Sequence, residues 1–413
     1  RLPAWFATIG IVWLTWCLAN HARGAAVARW STLVLSTMVL TYISAGAVMT
    51  DTFLVFGTTL SLVSVWFVLS GRSDYWRWWF FMGLAIGLLS KGPLAVVLTV
   101  IPLVLWAAIF RQRLQPLKKL PWLLGSLLTL AIAVPWYVLA ELKTPGFLNY
   151  FIIGEHFSRF LYPEWAGDLY GSAHDRPKGM IWIFWLWASF PWGIIGLVGF
   201  GLAAARGKTK DIFTGAVQDA STLYLLFCAI TPMLFFTLAG NTLWTYILPS
   251  LPFSAILIAG WVSKLDLGAW SRVRSGAVLL VPVLITLVVF ISVSGVIPLK
   301  TEKQLISRYE SIHQAGDSPI FYIGEMPFSA RFYSLGDAVE IISTEFNSLL
   351  EADGYARVFA VIPNHAVDEV LGPRATDAQK LGENERYQLF SIDLPPTDSQ
   401  NDPVDSELNS KND

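Results

Sequence analysis

Long apolar stretches almost free of charge dominate this chain, and there are too many of them for the layers of a water-soluble domain to hide. A helix needs about 20 predominantly apolar residues to cross the hydrocarbon core of a bilayer. Ten stretches read as candidate spans: 3–20, 30–48, 52–70, 76–90, 93–110, 121–140, 179–203, 221–239, 245–263 and 276–297. Of the 413 residues, 54% are hydrophobic and only 14% are charged. So few charges could not solubilise that much apolar surface, whereas lipid covers it directly. The expected fold is an all-α polytopic membrane protein. The fourth and fifth stretches are short and meet at Ser90-Lys91-Gly92-Pro93, where proline after glycine ends a helix and makes a hairpin.

Alternating crossings sort the loops into two sets. One carries fourteen Lys and Arg, among them Arg23, Arg77, Lys118 and Arg272; the other, before the C-terminal region, carries five: Lys91, Lys143, Arg159, Arg176 and Lys178. Cytoplasmic loops are the ones enriched in positive charge, so the second set is expected to face outward. With it go Asp51, Asn241 and a polar island, 154-GEHFSRFLYPEWAGDLYGSAHDRPK-178. The net charge of −1 provides no basic field for phosphate backbones, which excludes a nucleic-acid partner. Cys17 and Cys228 lie inside apolar runs and read as packing residues, not as a disulfide or a metal pair.

Near residue 299 the pattern changes. The segments 319-PIFYIG-324, 339-VEIIS-343, 357-RVFAVIP-363 and 387-YQLFSI-392 read as short strands, with a helix-like stretch at 344–353. The organisation expected is a transmembrane domain over 1–298, a small outer α/β domain over 299–395, and a disordered acidic tail over 396–413.

Within the outward set, a few polar groups stand beside apolar spans. Asp51 ends one span and begins the next; a bare carboxylate next to hydrocarbon is costly, so it is expected to be paired, solvated or at a site, and it can cap a helix while also lining a cavity. Lys91 in 90-SKGP-93 is the one basic group of its hairpin, suited to act as a point charge for phosphate beside a helix start, or else to snorkel to the interface. His156 and Arg159 are three apart and share a face if their segment is helical. Arginine binds phosphate in a bidentate fork, and neutral histidine can ligate a metal or act as a base. His174, with Asp175 and Arg176, forms a second patch. Asn241 and Tyr246 lie in 240-GNTLWTYILPSLP-252, where Pro249 and Pro252 bend the helix beneath, as where a span lines a cavity.

The order MTD, SKGP between two short spans, EHFSRF followed by HDRP, then NTLWTYILPSLP resembles the bacterial ArnT/PMT-like glycosyltransferases, polytopic enzymes of the GT-C fold with an outer α/β domain. The likeness runs over nearly the whole chain and is greatest to the aminoarabinose transferases of lipid A modification. It implies a membrane glycosyltransferase that moves a sugar, with inversion, from a polyprenyl (undecaprenyl) phosphate to a periplasmic acceptor such as lipid A, in the bacterial inner membrane. It further implies that Lys91 and Arg159 hold the lipid phosphate and that His156 sits there as ligand to a divalent metal. By the same likeness Asp51 shapes the cavity, and Asn241 and Tyr246 fall in the region that borders it; His174, in the second patch, is a further candidate for substrate binding. The family's general base is an aspartate in a large first outer loop. That loop and the span before it are expected upstream of Arg1, so this stretch is expected to be inactive alone. A protein or glycan acceptor is the alternative for the same chemistry. A transporter or flippase of a lipid-linked substrate is the alternative from another class, although charges near mid-membrane and inverted repeats, its usual marks, are not evident.

Overall fold

The computed structural model describes residues 1–394 except 73, 164, 166, 168–175, 208, 264–268, 295–300 and 352–353. It divides into two compact units, Arg1–Thr286 and Leu287–Asp413. The division falls inside the last long helix and not at the 298/299 boundary expected from hydropathy. Apolarity follows that helix to its end but carries no information on which half of it packs. The acidic stretch 396–413 lies outside the described residues.

The first unit is helical: α1 (Leu2–Arg23), α2 (Ala25–Ser36), α3 (Val39–Gly46), α4 (Asp51–Leu69), α5 (Trp76–Lys91), α6 (Leu94–Ile109), α7 (Trp122–Lys143), a π-helix (Asn149–Ser158) running into α8 (Arg159–Leu161), α9 (Met180–Ala188), α10 (Trp192–Ala205), α11 (Thr209–Gln218), α12 (Ala220–Thr237), α13 (Leu251–Val262) and α14 (Ala269–Val293). Among the described residues, 6 helices are long and apolar enough to cross a membrane, or up to 9 if each of three bent pairs is one span. This is a multi-pass membrane protein, and the difference from ten straight spans has local causes. Helix α5, with 16 residues, falls short by itself. The stretch 93–110 forms α6 and then turns by 113°, the stretch 30–48 breaks into α2 and α3 at 65°, and 179–203 breaks into α9 and α10 at 107°. Pro191 ends α9, since proline cannot continue the hydrogen-bond ladder; hydropathy records apolarity and not direction. Two of the breaks satisfy each other. The Val39 N–H donates to the Phe190 carbonyl at 3.2 Å and the Trp192 indole N–H donates to the Thr37 hydroxyl at 2.8 Å, as a hydrocarbon environment requires of freed polar groups.

Helix α4 is the centre of the bundle: 83% of its apolar window is buried, against 17% for α7 and 11% for Arg272–Ser292. The last two therefore present themselves to lipid. Helix α5 packs on α4 through small residues. A methyl group at Gly57 would lie 2.6 Å from the Gly83 carbonyl oxygen and 2.7 Å from the Gly87 nitrogen, so the two backbones touch. Ser61 Oγ donates to the Phe80 carbonyl at 2.9 Å. Both helices carry small residues four apart, Gly57 with Ser61 and Gly83 with Gly87, the spacing that lets membrane helices approach closely.

At the start of α12, Asp219 caps the helix by accepting from the Ser221 N–H and pairs with Arg23, at the end of α1, at 2.9 Å. Burial pushes its carboxyl up, but the Thr222 and Ser221 hydroxyls, the Ser221 N–H and Arg23 outweigh this and hold it below the usual carboxylate value. A depressed carboxylate contributes stability above its unfolded pKa, about 3.9, and loses it as pH falls through the folded value. Asp219→Ala is therefore expected to lower the thermal midpoint at pH 7 and to leave it nearly unchanged once the wild-type carboxylate is protonated. An equal loss at both pH values would show that the contact is not electrostatic.

The second unit is a five-stranded sheet of order β2-β1-β3-β5-β4, with β1 (Ile320–Ile323), β2 (Val339–Ile341), β3 (Arg357–Pro363), β4 (Ala378–Glu383) and β5 (Tyr387–Asp393). Strand β1 pairs parallel to β2 and β3, whereas β5 pairs antiparallel to β3 and β4. Alternate residues face two apolar layers: Ile320, Tyr322, Phe359, Val361 and Leu389 meet Leu305, Ile306 and Ala330 on one side, and Phe321, Val358, Ala360 and Phe390 meet Phe346 and Leu371 on the other. Helices α15 (Lys303–Glu310) and α16 (Phe328–Tyr333) supply the first layer, α17 (Ser343–Glu351) and α18 (Val367–Leu371) the second. Burial on both faces is why 357-RVFAVIP-363 is apolar without alternation. The four strands and the helix read from sequence are present. Strand β4, AQKLGE, escaped that reading because edge strands are commonly polar and charged.

Candidate functional site

The close packing of α4 on α5 has a consequence at their ends. Asp51 begins α4 and Lys91 ends α5, and their side chains meet, Nζ to Oδ2, at 3.3 Å. Asp51 is the first residue of the helix, with Thr50 at the capping position. The capping alternative for Asp51 thus gives way to an ion pair, in a place where the helix N-terminus also favours negative charge. The side chain of Lys91 is 31% exposed and that of Asp51 14%, so the ammonium faces the open side and the carboxylate stands behind it.

That open side is a cavity of ≈ 870 Å³, with Thr50, Ser90, Lys91, Tyr150, Glu155, His156, Arg159, Asn241 and Tyr246 among its lining and an apolar wall of Trp136, Phe147, Phe151, Phe157, Phe160, Leu161 and Phe235. Five residues singled out from the sequence, Lys91, His156, Arg159, Asn241 and Tyr246, therefore line one space. Asp51 is one contact behind it. His174 lies outside the described residues.

Residues 155–158 of the EHFSRF segment lie in the π-helix Asn149–Ser158 and Arg159 and Phe160 open α8; the π-helix is a rare conformation that concentrates at functional sites. Helical face-sharing of His156 and Arg159 is replaced by a division of work. Arg159 NH1 pairs with Glu155 at 2.8 Å, and the Tyr150 hydroxyl donates to the other oxygen of the same carboxylate at 2.5 Å. The His156 ring lies between two backbone carbonyls, Nδ1 2.6 Å from the Phe151 oxygen and Nε2 2.8 Å from the Lys91 oxygen. Gly92 makes the approach feasible. Its φ of +58° suits glycine, and a methyl group there would lie 2.8 Å from the Phe151 ring and 3.0 Å from His156. The turn that presents Lys91 and the helix that presents Arg159 are thereby locked together.

A metal at His156 does not fit this arrangement. Both ring nitrogens point at carbonyl oxygens, both nearby carboxylates are engaged by cations, and no group of three or more His, Cys, Asp or Glu side chains able to hold a metal occurs among the described residues.

Asn241 acts through the backbone. Its Nδ2 donates to the Arg159 and Tyr162 carbonyls at 2.8 and 2.9 Å, while Oδ1 is buried with no hydrogen-bond partner among the described residues. Tyr246 packs against Phe236 with the rings tilted by 32°, their centres 4.7 Å apart. Three supporting residues were missed from sequence. Glu155 was seen only as part of the island, although its spacing of four from Arg159 is the ordinary ion-pair signal. Glu141 accepts from the Gly146 and Leu148 N–H groups at 2.9 and 2.7 Å and fixes the cavity-lining segment after α7. The Tyr137 hydroxyl donates to the Leu88 carbonyl at 2.6 Å, with no local pattern to reveal it.

A second cavity of ≈ 730 Å³ lies in the sheet unit, at the C-terminal ends of β1 and β3. Its arginine, Arg386, is tied to the buried Glu302 at 2.9 Å, so it lacks the pair of cations beside an apolar wall that distinguishes the first.

Comparison with known proteins places these features. The family described as dolichyl-phosphate-mannose-protein mannosyltransferase matches residues 1–151. The undecaprenyl phosphate-alpha-4-amino-4-deoxy-L-arabinose arabinosyl transferase 1 of Pseudomonas fluorescens is 29% identical over 288 residues, covering 67% of this chain and 45% of that protein. The corresponding transferase of Pectobacterium atrosepticum is 28% identical over 286 residues, covering 65% of this chain and 47% of that one. The chain thus spans about half the length of the curated relatives it matches. The crystal structure of ArnT from Cupriavidus metallidurans bound to undecaprenyl phosphate superposes with a TM-score of 0.72 at 15% identity, over 94% of this chain and 82% of that one. The apo form gives 0.70. At that identity the superposition speaks for the fold.

Proposed function

From the premise that this chain is ArnT/PMT-like in sequence and GT-C in fold, we propose that it carries the lipid-phosphate site of a membrane glycosyltransferase. The donor is a sugar on undecaprenyl phosphate, and the acceptor is lipid A. The observation that carries this reading is the convergence of Lys91 and Arg159, from separate elements, on one cavity with an aromatic and aliphatic wall. A free phosphate has no use for that wall and a neutral lipid has none for the cations; a polyprenyl phosphate needs both.

In the transfer, the bond between the anomeric carbon and the phosphate oxygen breaks while an acceptor oxygen bonds that carbon from the opposite side. Negative charge grows on the departing phosphate, and Lys91 and Arg159 act on it where it develops. An ammonium carries three N–H donors and a guanidinium five. Asp51 and Glu155 aim these groups, and His156 and Asn241 hold the backbone that carries them. The acceptor must lose a proton, but Asp51, engaged with Lys91, is not assigned that work. The weight of Lys and Arg on the other set of loops supports an outward-facing cavity, which is the periplasmic side of a bacterial inner membrane.

The test is transfer by the complete protein, reconstituted with undecaprenyl-phosphate aminoarabinose and lipid A and read by mass spectrometry of the lipid A. Modified lipid A from wild type is the expected result. Transport of the donor across vesicles without any transferred sugar would overturn the reading in favour of a flippase.

A further inference from the structure

Among the described residues of the sheet unit, three large apolar side chains are more than 70% exposed. Phe328 is 78% exposed, Phe332 72% and Leu335 91%. Phe328 and Phe332 are four apart on α16, hence on one face, and Ala330 on the opposite side enters the core fully buried. Leu335 follows one turn later at φ 55°, a left-handed backbone that glycine would adopt freely and leucine adopts under strain. Isolated exposed hydrophobics are ordinary. Three within eight residues, one of them held in a strained conformation, form a patch.

What lies within reach of the patch follows from the chain itself. Arg272–Ser292 is long and apolar enough to cross a membrane, and the first described helix of the sheet unit begins at Lys303. Residues 294–302, even fully extended at about 3.5 Å each, reach no more than roughly 32 Å. The sheet unit is therefore held next to a bilayer, and its apolar residues have an apolar phase close by. We propose that Phe328, Phe332 and Leu335 dock the sheet unit on the lipid bilayer, with the two aromatic rings at the headgroup boundary. Aromatic rings concentrate there in membrane proteins, and a short helix with an apolar face lies in that plane.

The test uses the full chain in phosphatidylcholine–phosphatidylglycerol vesicles, with a nitroxide attached at Phe328→Cys, at Phe332→Cys, or at Gln379→Cys on the exposed edge strand. The native Cys17 and Cys228 are buried and are left in place. Collision rates with oxygen, which partitions into lipid, and with a water-soluble nickel chelate are measured for each. The expected result is oxygen-dominated relaxation at 328 and 332 and nickel-dominated relaxation at 379. Nickel-dominated relaxation at all three positions would overturn the proposal. Protection from both probes at 328 and 332 would also overturn it, because protein and not lipid would then cover the patch; spin–spin broadening would identify that protein as a second copy. All three substitutions lie on exposed positions, and retention of the sheet's circular dichroism confirms folding.

Discussion

Replacing Lys91 by alanine in the complete protein is expected to reduce sugar transfer by about 100-fold or more, the usual consequence of removing one preorganised group from a developing oxyanion. Most of the loss should fall on kcat. The ammonium gains most where the phosphate gains charge, and an interaction stronger in the transition state than in the ground state sets kcat. Lys91→Arg should restore part of the activity, since the charge returns but the compact point of charge does not. Asp51→Asn should cost less than Lys91→Ala, because the lysine remains and only its anchor at 3.3 Å is lost. Transfer by the Lys91→Ala protein at wild-type rate, with normal expression, would remove Lys91 from the phosphate site.

The second large effect concerns a residue that touches no substrate. Gly57→Val is expected to destabilise the bundle by about 3 kcal/mol, at the upper end of what overpacking a close-packed interior ordinarily costs. Its side chain would fall against the Gly83 carbonyl and the Gly87 nitrogen, backbone atoms that cannot rotate away. The helices would have to separate, and with them Asp51 from Lys91. The control is Gly201→Ala on α10, where a methyl group meets nothing within 4 Å and no loss is expected. Thermal unfolding in detergent compares the two, and an equal midpoint for Gly57→Val and wild type would show that the contact is not a tight one.

These two expectations differ in how far sequence could lead to them. Lys91 was legible, because a lone cation in a Gly-Pro hairpin on the charge-poor side is a local anomaly. Arg159 and Asn241 were legible for the same reason, as polar residues beside apolar spans. The role of Asn241 was not, since it binds the Arg159 and Tyr162 carbonyls about eighty positions away. His156 was read as a metal ligand by family likeness, whereas its ring nitrogens are turned to two carbonyls. Which way a ring points depends on neighbours brought by other helices, here the Lys91 turn and the positive φ of Gly92. The small-residue spacing 83-GLAIG-87 could have announced the α4–α5 contact, although the spacing alone does not name its partner.

The sequence by itself determined that this is a membrane protein of many helices followed by a small α/β unit. Both conclusions rest on composition and period, which are sums over neighbouring residues. It also identified five of the cavity's polar residues, Lys91 and Arg159 among them, because a charge beside hydrocarbon is conspicuous wherever it stands. Tertiary structure alone decided that spans 30–48 and 179–203 break and bind each other at their breaks. It alone paired Asp51 with Lys91 and brought that pair beside Glu155 and Arg159 at the edge of one cavity. Those outcomes depend on the closeness and direction of packed helices, and a contact between residues forty positions apart leaves no trace in the pattern of either.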